Sequence, residues 1–212
     1  AGVPLMTAHT LRFDATIQSL LASRARIGQL RQLVLTSHIE TKGRSADHAD
    51  GYGRRGALLE FGVHLLDLVR VLTGEEIETV QCALDHIPPG HPETFAKVQL
   101  RTKSGMPCSI EVARVEAGRV GRAEWIGSDG QLLADWTNRH IRYADSASRS
   151  EAWSTALSPT VLTTLREFVR ALQHDTSMPI TGDDGCRAVE IAEACYRSAE
   201  AGGTTITLPL RA

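Results

Sequence analysis

Residues 95–115 read FAKVQLRTKSGMPCSIEVARV, and this stretch indicates the fold class. Two short runs, Phe95–Thr102 and Pro107–Val115, flank the turn sequence KSG at 103–105, an arrangement that is typical of an antiparallel hairpin. Every second residue from 108 to 112 is apolar, so the second run has the period of a strand with one buried face. The centre of the chain is therefore expected to form a β-sheet.

Further runs with strand character lie on both sides of this hairpin. They cover residues 29–39, 80–86, 122–126, 131–136, 139–143 and 204–208. Helical periodicity marks four other segments. The first begins after Asp14 and is about three turns long, and the others cover residues 57–73, 159–174 and 183–202. Between residues 78 and 145 the strands are expected to follow one another as an antiparallel meander. We predict an α+β fold, a large open, mostly antiparallel sheet with helices packed on one face.

Local capping residues support the predicted helix ends. Asp14 is a suitable N-cap, and either Thr181 or Asp183 can cap the last helix. Gly74 stands where a left-handed residue would end the helix 57–73.

The second face of the sheet is left without predicted helices. In the strand 107–115 its residues, Ser109, Glu111 and Ala113, are mixed in polarity. The pattern leaves two interpretations open, a solvated face or a contact between sheets of two subunits.

Composition excludes several classes of partner. The 212 residues carry a formal charge of −2 and no basic stripe, which argues against nucleic acid. No apolar run reaches the roughly 20 residues of a membrane helix, and the first residues lack the build of a signal peptide. The four cysteines are far apart with no CxxC pair, which argues against a disulfide framework and a structural zinc site. We therefore expect a soluble protein in a reducing, cytoplasmic compartment.

The helix 57–73 reads ALLEFGVHLLDLVRVLT and carries the polar residues of greatest interest. At 100° per residue, His64 and Asp67 lie about 40° and about 20° from Glu60, so the three form one narrow polar stripe on an otherwise apolar helix. Buried ionisable groups require partners. The stripe is therefore either an internal network that satisfies His64 or a site in which His64 is a general acid/base oriented by a carboxylate.

The loop before this helix favours the functional interpretation. Residues 51–56 read GYGRRG, so glycines allow the backbone to approach a ligand, and Arg54 and Arg55 bring two guanidinium groups to the start of the helix. Residues 41–56 are polar and glycine-rich over an unusual length for a loop in a compact domain, which is typical of functional loops.

Five motifs in the same order resemble the glucose-fructose oxidoreductase, inositol dehydrogenase and MocA (Gfo/Idh/MocA) family. The main one is GALLEFGVHLLDL at 56–68, which is similar to the family's glycine-rich Asp-x-x-x-His-x-x-Asp helix. The others are HTLRFD at 9–14, ARIGQL at 25–30, IGSDGQL at 126–132, and the tail from PITGDDG at 179–185 to ACYRSA at 194–199. The resemblance extends over residues 8–210. Two departures are that Glu60 stands where the family usually has Asp, and that Gly56 alone remains of a glycine pair or triplet.

The resemblance implies an NAD(P)-dependent oxidoreductase that acts on a sugar, a cyclitol or a related hydroxy compound. Such enzymes carry an N-terminal Rossmann domain with a glycine-rich phosphate turn and a Glu-Lys-Pro motif, and neither sequence occurs here. The resemblance thus implies that residues 1–13 are the last strand and linker of that domain, and that 14–212 form the substrate-binding and oligomerisation domain. NAD or NADP is then a cofactor of the longer enzyme, and this chain alone is expected to be inactive and to bind neither.

Residue roles follow from the same resemblance. His64 would accept the hydroxyl proton of the substrate, and Glu60 would adjust its basicity. The side chains expected to face the substrate or the cofactor are Arg12, Tyr52, Arg54 and Arg55, with Asp67 close behind His64.

Two other functions compete with this one. The chain could be a non-catalytic scaffold that keeps the sheet for oligomerisation or partner binding, although retention of His64 and Asp67 on a buried stripe opposes this. A metal site could form from DHAD at 47–50, with His38 or His91, but such residues in a polar loop usually contact only water.

Overall fold

The computed structural model describes residues 3–40, 56–85 and 92–210. Within these ranges nine strands form one sheet. They are β1 Leu30–Glu40, β2 Ile77–Asp85, β3 Phe95–Thr102, β4 Pro107–Val115, β5 Val120–Gly127, β6 Gly130–Asp135, β7 His140–Asp145, β8 Ser150–Ser154 and β9 Ile206–Thr207. The order across the sheet is β8-β7-β6-β5-β1-β4-β3-β2-β9, and β1 with β4 is the parallel pair in an otherwise antiparallel sheet. The expected fold class, α+β with a large open sheet, is confirmed.

The expected uninterrupted meander was wrong in one respect. Strand β1 lies between β4 and β5, so that Leu33 is opposite Cys108 on one side and Trp125 on the other. The link at 116–119 passes from β4 to β5 across the end of β1. The sequence did not show this, because turn residues between two consecutive strands do not indicate whether a distant strand lies between them. The hairpins β2–β3–β4 and the ribbon β5–β6–β7–β8 are the two meanders that remain.

Four α-helices accompany the sheet in the described ranges. They are α1 Ala15–Ala22, α2 Val63–Thr73, α3 Thr160–His174 and α4 Gly182–Glu200. A π-helical turn, Leu58–Gly62, leads directly into α2, and short 3-10 helices cover Thr10–Phe13 and Arg24–Ile27. None of these helices combines the length and the apolar character needed to cross a lipid bilayer.

The capping residues act as the sequence suggested. The Asp14 carboxylate accepts hydrogen bonds from the backbone N–H groups of the first turn of α1, and Gly74 ends α2 with φ 72°. Thr181, rather than Asp183, is the N-cap of α4, where it forms a capping box with Asp184. Helix α1 has eight residues and is therefore shorter than the three turns expected.

The core lies between the sheet and three of the helices. Helix α4 packs along β2, α2 lies against β1 and β4, and α1 contacts β6 and β7. Leu33, Leu35, Ile110 and Trp125 are fully buried in this layer. The helices therefore cover one face of the sheet, and a polar row that includes Lys97, Glu111, Thr36 and Arg122 crosses β3, β4, β1 and β5 on the other.

Residues 3–9 form neither strand nor helix here, and the Thr7 N–H donates a hydrogen bond to the Ile180 carbonyl. One strand differs from expectation. Strand β8 was missed, because its sequence SEAWS is mostly exposed and lacks apolar alternation. As an edge strand it pairs with β7 alone, and few of its side chains are buried, so its sequence needs no apolar alternation.

Candidate active site

The helix that carries the polar stripe begins against a buried carboxylate. Glu93 is 3% exposed, and its Oε1 accepts hydrogen bonds from the Leu58 N–H (3.2 Å) and from the Tyr196 hydroxyl (2.8 Å). The Ala57 N–H donates to the Glu93 carbonyl (2.9 Å). A Cβ atom on Gly56 would lie 1.8 Å from the Glu93 carboxyl carbon, so a larger residue fits there only if Glu93 or the helix start moves. Glu93 thus accepts hydrogen bonds from N–H groups at the start of the helix, and its negative charge interacts favourably with the positive end of the helix dipole.

The π-helical turn rotates Glu60 away from Asp67 while leaving it on the side of His64. Since π-helical residues advance by less than 100° each, residues before 63 are rotated relative to an ideal helix. Glu60 forms an ion pair with Arg114 of β4. The uniform 100° period assumed from sequence therefore placed Glu60 too close to Asp67.

Asp67 is the carboxylate that is buried beneath His64. Its side chain is 1% exposed and forms a two-pronged pair with Arg12, from Nε to Oδ2 (2.8 Å) and from Nη2 to Oδ1 (2.5 Å). Such bidentate pairs are the strongest that arginine makes with a carboxylate. Arg12 is therefore directed to Asp67, although it was expected to face the substrate.

Asp184 and Arg70 extend this pair into a four-residue network, here called the Arg/Asp network (Arg12, Asp67, Arg70, Asp184). Asp184 Oδ1 lies 3.1 Å from Arg12 Nη2 and 3.2 Å from Arg70 Nη1. Burial alone would raise the pKa of Asp184, but hydrogen bonds from Thr181 and Arg12 outweigh it and hold that pKa well below its ordinary value. The network connects the N-terminal segment, α2 and α4.

His64 faces a second histidine, which the sequence analysis did not single out. The rings of His9 and His64 meet edge to face, with centroids 5.5 Å apart and an interplanar angle of 80°. His9 Nε2 lies 4.0 Å from Asp67 Oδ1. The sequence feature that could have pointed to His9 is its position in HTLRFD, three residues before Arg12. The segment that brings Arg12 to α2 also brings His9 close to that helix.

Both imidazoles favour the neutral form. Burial lowers the pKa of His64, proximity to His9 lowers it further, and the charge of Asp67 opposes both effects. Burial likewise lowers the pKa of His9 against the opposing charge of Asp67. At neutral pH His64 is therefore unprotonated and able to accept a proton, and Asp67, rather than Glu60, is the carboxylate that raises its pKa.

His64 lies on the wall of an open cavity of about 1060 Å³. The wall is mainly apolar, and its lining includes His9, Leu59, Glu60, Val63, His64 and Val189. Residues from the N-terminal segment, from the π-helical turn with α2, and from α4 all contribute. A cavity of this size, apolar with a few polar groups, suits a small organic ligand.

The remaining sequence-based candidates are distributed as follows. Tyr52, Arg54 and Arg55 lie outside the described residues, as do residues 47–50 and His91 of the metal hypothesis. His38 pairs with Glu111 (3.1 Å). Across 3–40, 56–85 and 92–210, no three histidine, cysteine or carboxylate side chains come together as a metal site.

The chain is thus an open-sheet α+β domain with a neutral histidine on the wall of an apolar cavity. The family model of the GFO/IDH/MocA C-terminal domain matches residues 15–133, and the chain belongs to this family.

Relatives of the chain are sugar and polyol oxidoreductases by name. Inositol 2-dehydrogenase of Rhizobium meliloti (strain 1021) is 25% identical over 209 residues, which cover 92% of this chain and 62% of the relative. The aldose-aldose oxidoreductase of Caulobacter crescentus, solved with glycerol, has a TM-score of 0.83 at 21% identity and covers 98% of this chain and 64% of its own. Levoglucosan dehydrogenase, solved with NADH and levoglucosan, has a TM-score of 0.81 at 18% identity, with 98% and 67% covered. The chain spans less than two thirds of the first two proteins.

Proposed function

We propose that this chain is the substrate-binding and oligomerisation part of an NAD(P)-dependent oxidoreductase that acts on a sugar, a cyclitol or a related hydroxy compound. The observation that carries the proposal is the neutral His64 on the wall of the cavity. Family membership and the names of the relatives support oxidoreductase chemistry on hydroxylated substrates.

In this proposal His64 is the general base. A neutral imidazole can accept the proton of a substrate hydroxyl, and burial keeps it unprotonated near neutral pH. Asp67, Arg12 and Arg70 are positioning residues, because they hold α2 behind His64 and none of them lines the cavity. Glu60 lines the cavity with its carboxylate held by Arg114, and it is the candidate to accept a hydrogen bond from substrate.

The loop before the helix is proposed to complete the substrate site. Tyr52, Arg54 and Arg55 precede Gly56 by at most four residues. Gly56 itself lies against Glu93 at the start of the helix that carries Glu60 and His64, and this sequence proximity supports the proposal.

The described cavity wall does not fit the pyrophosphate of a dinucleotide. A pyrophosphate is held mainly by cationic side chains, but the described lining includes no lysine or arginine and carries three glutamates, each paired with an arginine. The pairs are Glu60 with Arg114, Glu190 with Arg187 and Glu193 with Arg197. We therefore propose that NAD(P) is held by residues outside the described part of this chain. The described residues then bind the substrate and accept its hydroxyl proton.

The test is the His64→Ala variant of an enzyme that carries this chain together with its nucleotide-binding domain. Turnover should fall by roughly 10² to 10⁴ at neutral pH while cofactor affinity stays nearly unchanged, since a positioned acid/base contributes about that much. The deficit should shrink as pH rises, because hydroxide and water take over part of the proton transfer.

The competing scaffold function predicts a different result for the same variant. His64→Ala would then lower the melting temperature and leave activity per folded molecule unchanged. pH-rate profiles measured beside melting curves distinguish the two, and an active but unstable variant would refute the catalytic role.

A further inference from the structure

His9 is buried in a position that packing alone does not explain. It is 6% exposed, yet it borders the cavity and lies edge to face against His64. It comes from the N-terminal segment, whereas His64 comes from α2, so two separate parts of the chain deliver imidazoles to one place.

Both imidazoles have an unsatisfied nitrogen. Within the described residues, the buried Nδ1 atoms of His9 and His64 make no hydrogen bond. Buried polar atoms without a partner are rare in native proteins. Both atoms are shielded as the rings stand, but the two residues border one open cavity, so a partner that enters from the cavity can reach both nitrogens once the rings turn.

The chemistry of the pair specifies that partner. A neutral imidazole has one nitrogen that donates and one that accepts, so each ring can form a hydrogen bond with a hydroxyl group in either direction. A half-turn of the ring about the Cβ–Cγ bond brings Nδ1 to either edge without moving the backbone. The surrounding wall, with Leu59, Val63 and Val189, suits the C–H surface of the same molecule.

We propose that His9 is a second ligand-binding side chain of this site, and that His9 and His64 bind adjacent hydroxyl groups of one polyol. This inference rests on the proposed function, because it assumes that His64 contacts a substrate hydroxyl. It adds that the substrate carries two neighbouring hydroxyls, one that His64 deprotonates and one that His9 recognises.

A purely structural His9 would be expected to look different. A buried histidine that serves packing or an internal network has both nitrogens satisfied, and phenylalanine would fill the same volume with no unsatisfied atom. The 4.0 Å separation between His9 Nε2 and Asp67 Oδ1 is longer than a hydrogen bond, so Asp67 does not hold His9 in this way.

The experiment uses the chain itself, labelled with ¹⁵N, titrated with myo-inositol and followed through the side-chain nitrogens of its histidines. The variants are His9→Phe, His64→Phe and the control His174→Phe, which changes an exposed histidine in the last turn of α3. The Nδ1 signals of His9 and His64 should both move, with a common dissociation constant. His9→Phe should weaken binding roughly three- to tenfold, the net worth of one hydrogen bond, and His174→Phe should not change it.

Each other outcome has a defined meaning. If only the His64 signal moves, or if His9→Phe binds as the parent does, the role of His9 is refuted and the proposed function survives. If neither signal moves, both are refuted for this class of substrate. Should His9→Phe lose its folded amide spectrum, His9→Leu, which also cannot form the hydrogen bond, replaces it, and unchanged affinity in that variant likewise refutes the inference.

Discussion

At the scale of single residues, Asp67 has the greatest energetic importance in the site region. It is 1% exposed and its charge is balanced by Arg12, with Arg70 at 4.0 Å. Buried ion pairs contribute little net stability, but removal of one partner leaves an uncompensated charge. Asp67 therefore determines whether the N-terminal segment remains attached to α2.

Asp67→Asn should lower the free energy of unfolding by about 3 kcal/mol or more, because Arg12 loses its main partner in a buried place. Urea unfolding measures the change. Asp183→Asn, an exposed position in the first turn of α4, is the matched control and should change stability by about 0.5 kcal/mol at most. Equal effects of the two substitutions would contradict the importance of the buried pair.

Stability should decrease as pH falls from 7 to 5. His9 and His64 have lowered pKa values in the folded chain, so between those values and 6.5 the unfolded chain binds more protons and acidification favours unfolding. Burial is the main cause of the lowered pKa of His9; the charges of Asp67 and Asp184 oppose it and those of Arg12 and Arg70 add to it, while the ring of His64 lies against His9. Urea midpoints across this range should decline less steeply in His9→Phe than in the parent, whereas His174→Phe should keep the parent slope. A slope unchanged in His9→Phe would show that His9 does not titrate in this way.

At the scale of elements, the best-predicted parts were those whose pattern depends on near neighbours. The bounds of β3 and β4 agree with expectation, because alternation over eight or nine residues and an intervening turn specify a hairpin locally. The π-helical turn was not predicted, and its first residue, Leu58, donates its N–H to Glu93, a residue 35 positions away that no local pattern connects to the helix. His9 was missed for the same reason, since its contact with His64 is tertiary.

Gly56→Ala tests how the helix start is built. A Cβ at this position would overlap the Glu93 carboxyl group, so either Glu93 or the helix start must move. We expect a loss of about 1–3 kcal/mol in thermal unfolding, the usual cost of overpacking. Tyr196→Phe removes one hydrogen bond to the same carboxylate and should cost about 1 kcal/mol. A Gly56→Ala protein as stable as the parent would mean that Glu93 does not fix the helix.

At the scale of the whole molecule, the sheet face opposite the helices is proposed as the oligomer contact. Thr36 lies at its centre, between Glu111 on β4 and Arg122 on β5. We expect sedimentation at micromolar concentration to give at least twice the monomer mass of 23.0 kDa. Thr36→Arg should weaken self-association at least tenfold because it adds a like charge beside Arg122, and Gln173→Arg on the exposed side of α3 should not. A parent protein that sediments as a monomer would refute this.

The chain as it stands is also expected not to bind NAD(H) or NADP(H) measurably. The described cavity wall includes no lysine or arginine that could bind a pyrophosphate, and its three glutamates are paired with arginines outside the lining. Titration calorimetry is the measurement, and micromolar binding of either dinucleotide would overturn the assignment of the cofactor to residues elsewhere.

The position of β1 in the sheet also has a consequence for how the molecule folds. Leu33 is made before both of its partners, since Cys108 and Trp125 follow 75 and 92 residues later. The two meanders can form from local contacts, whereas joining them through β1 requires closure of long chain loops, which slows folding in proteins rich in distant contacts. Until β1 is inserted, both meanders expose unpaired strand edges, and this interval is when a nascent chain is most open to aggregation and to binding by chaperones.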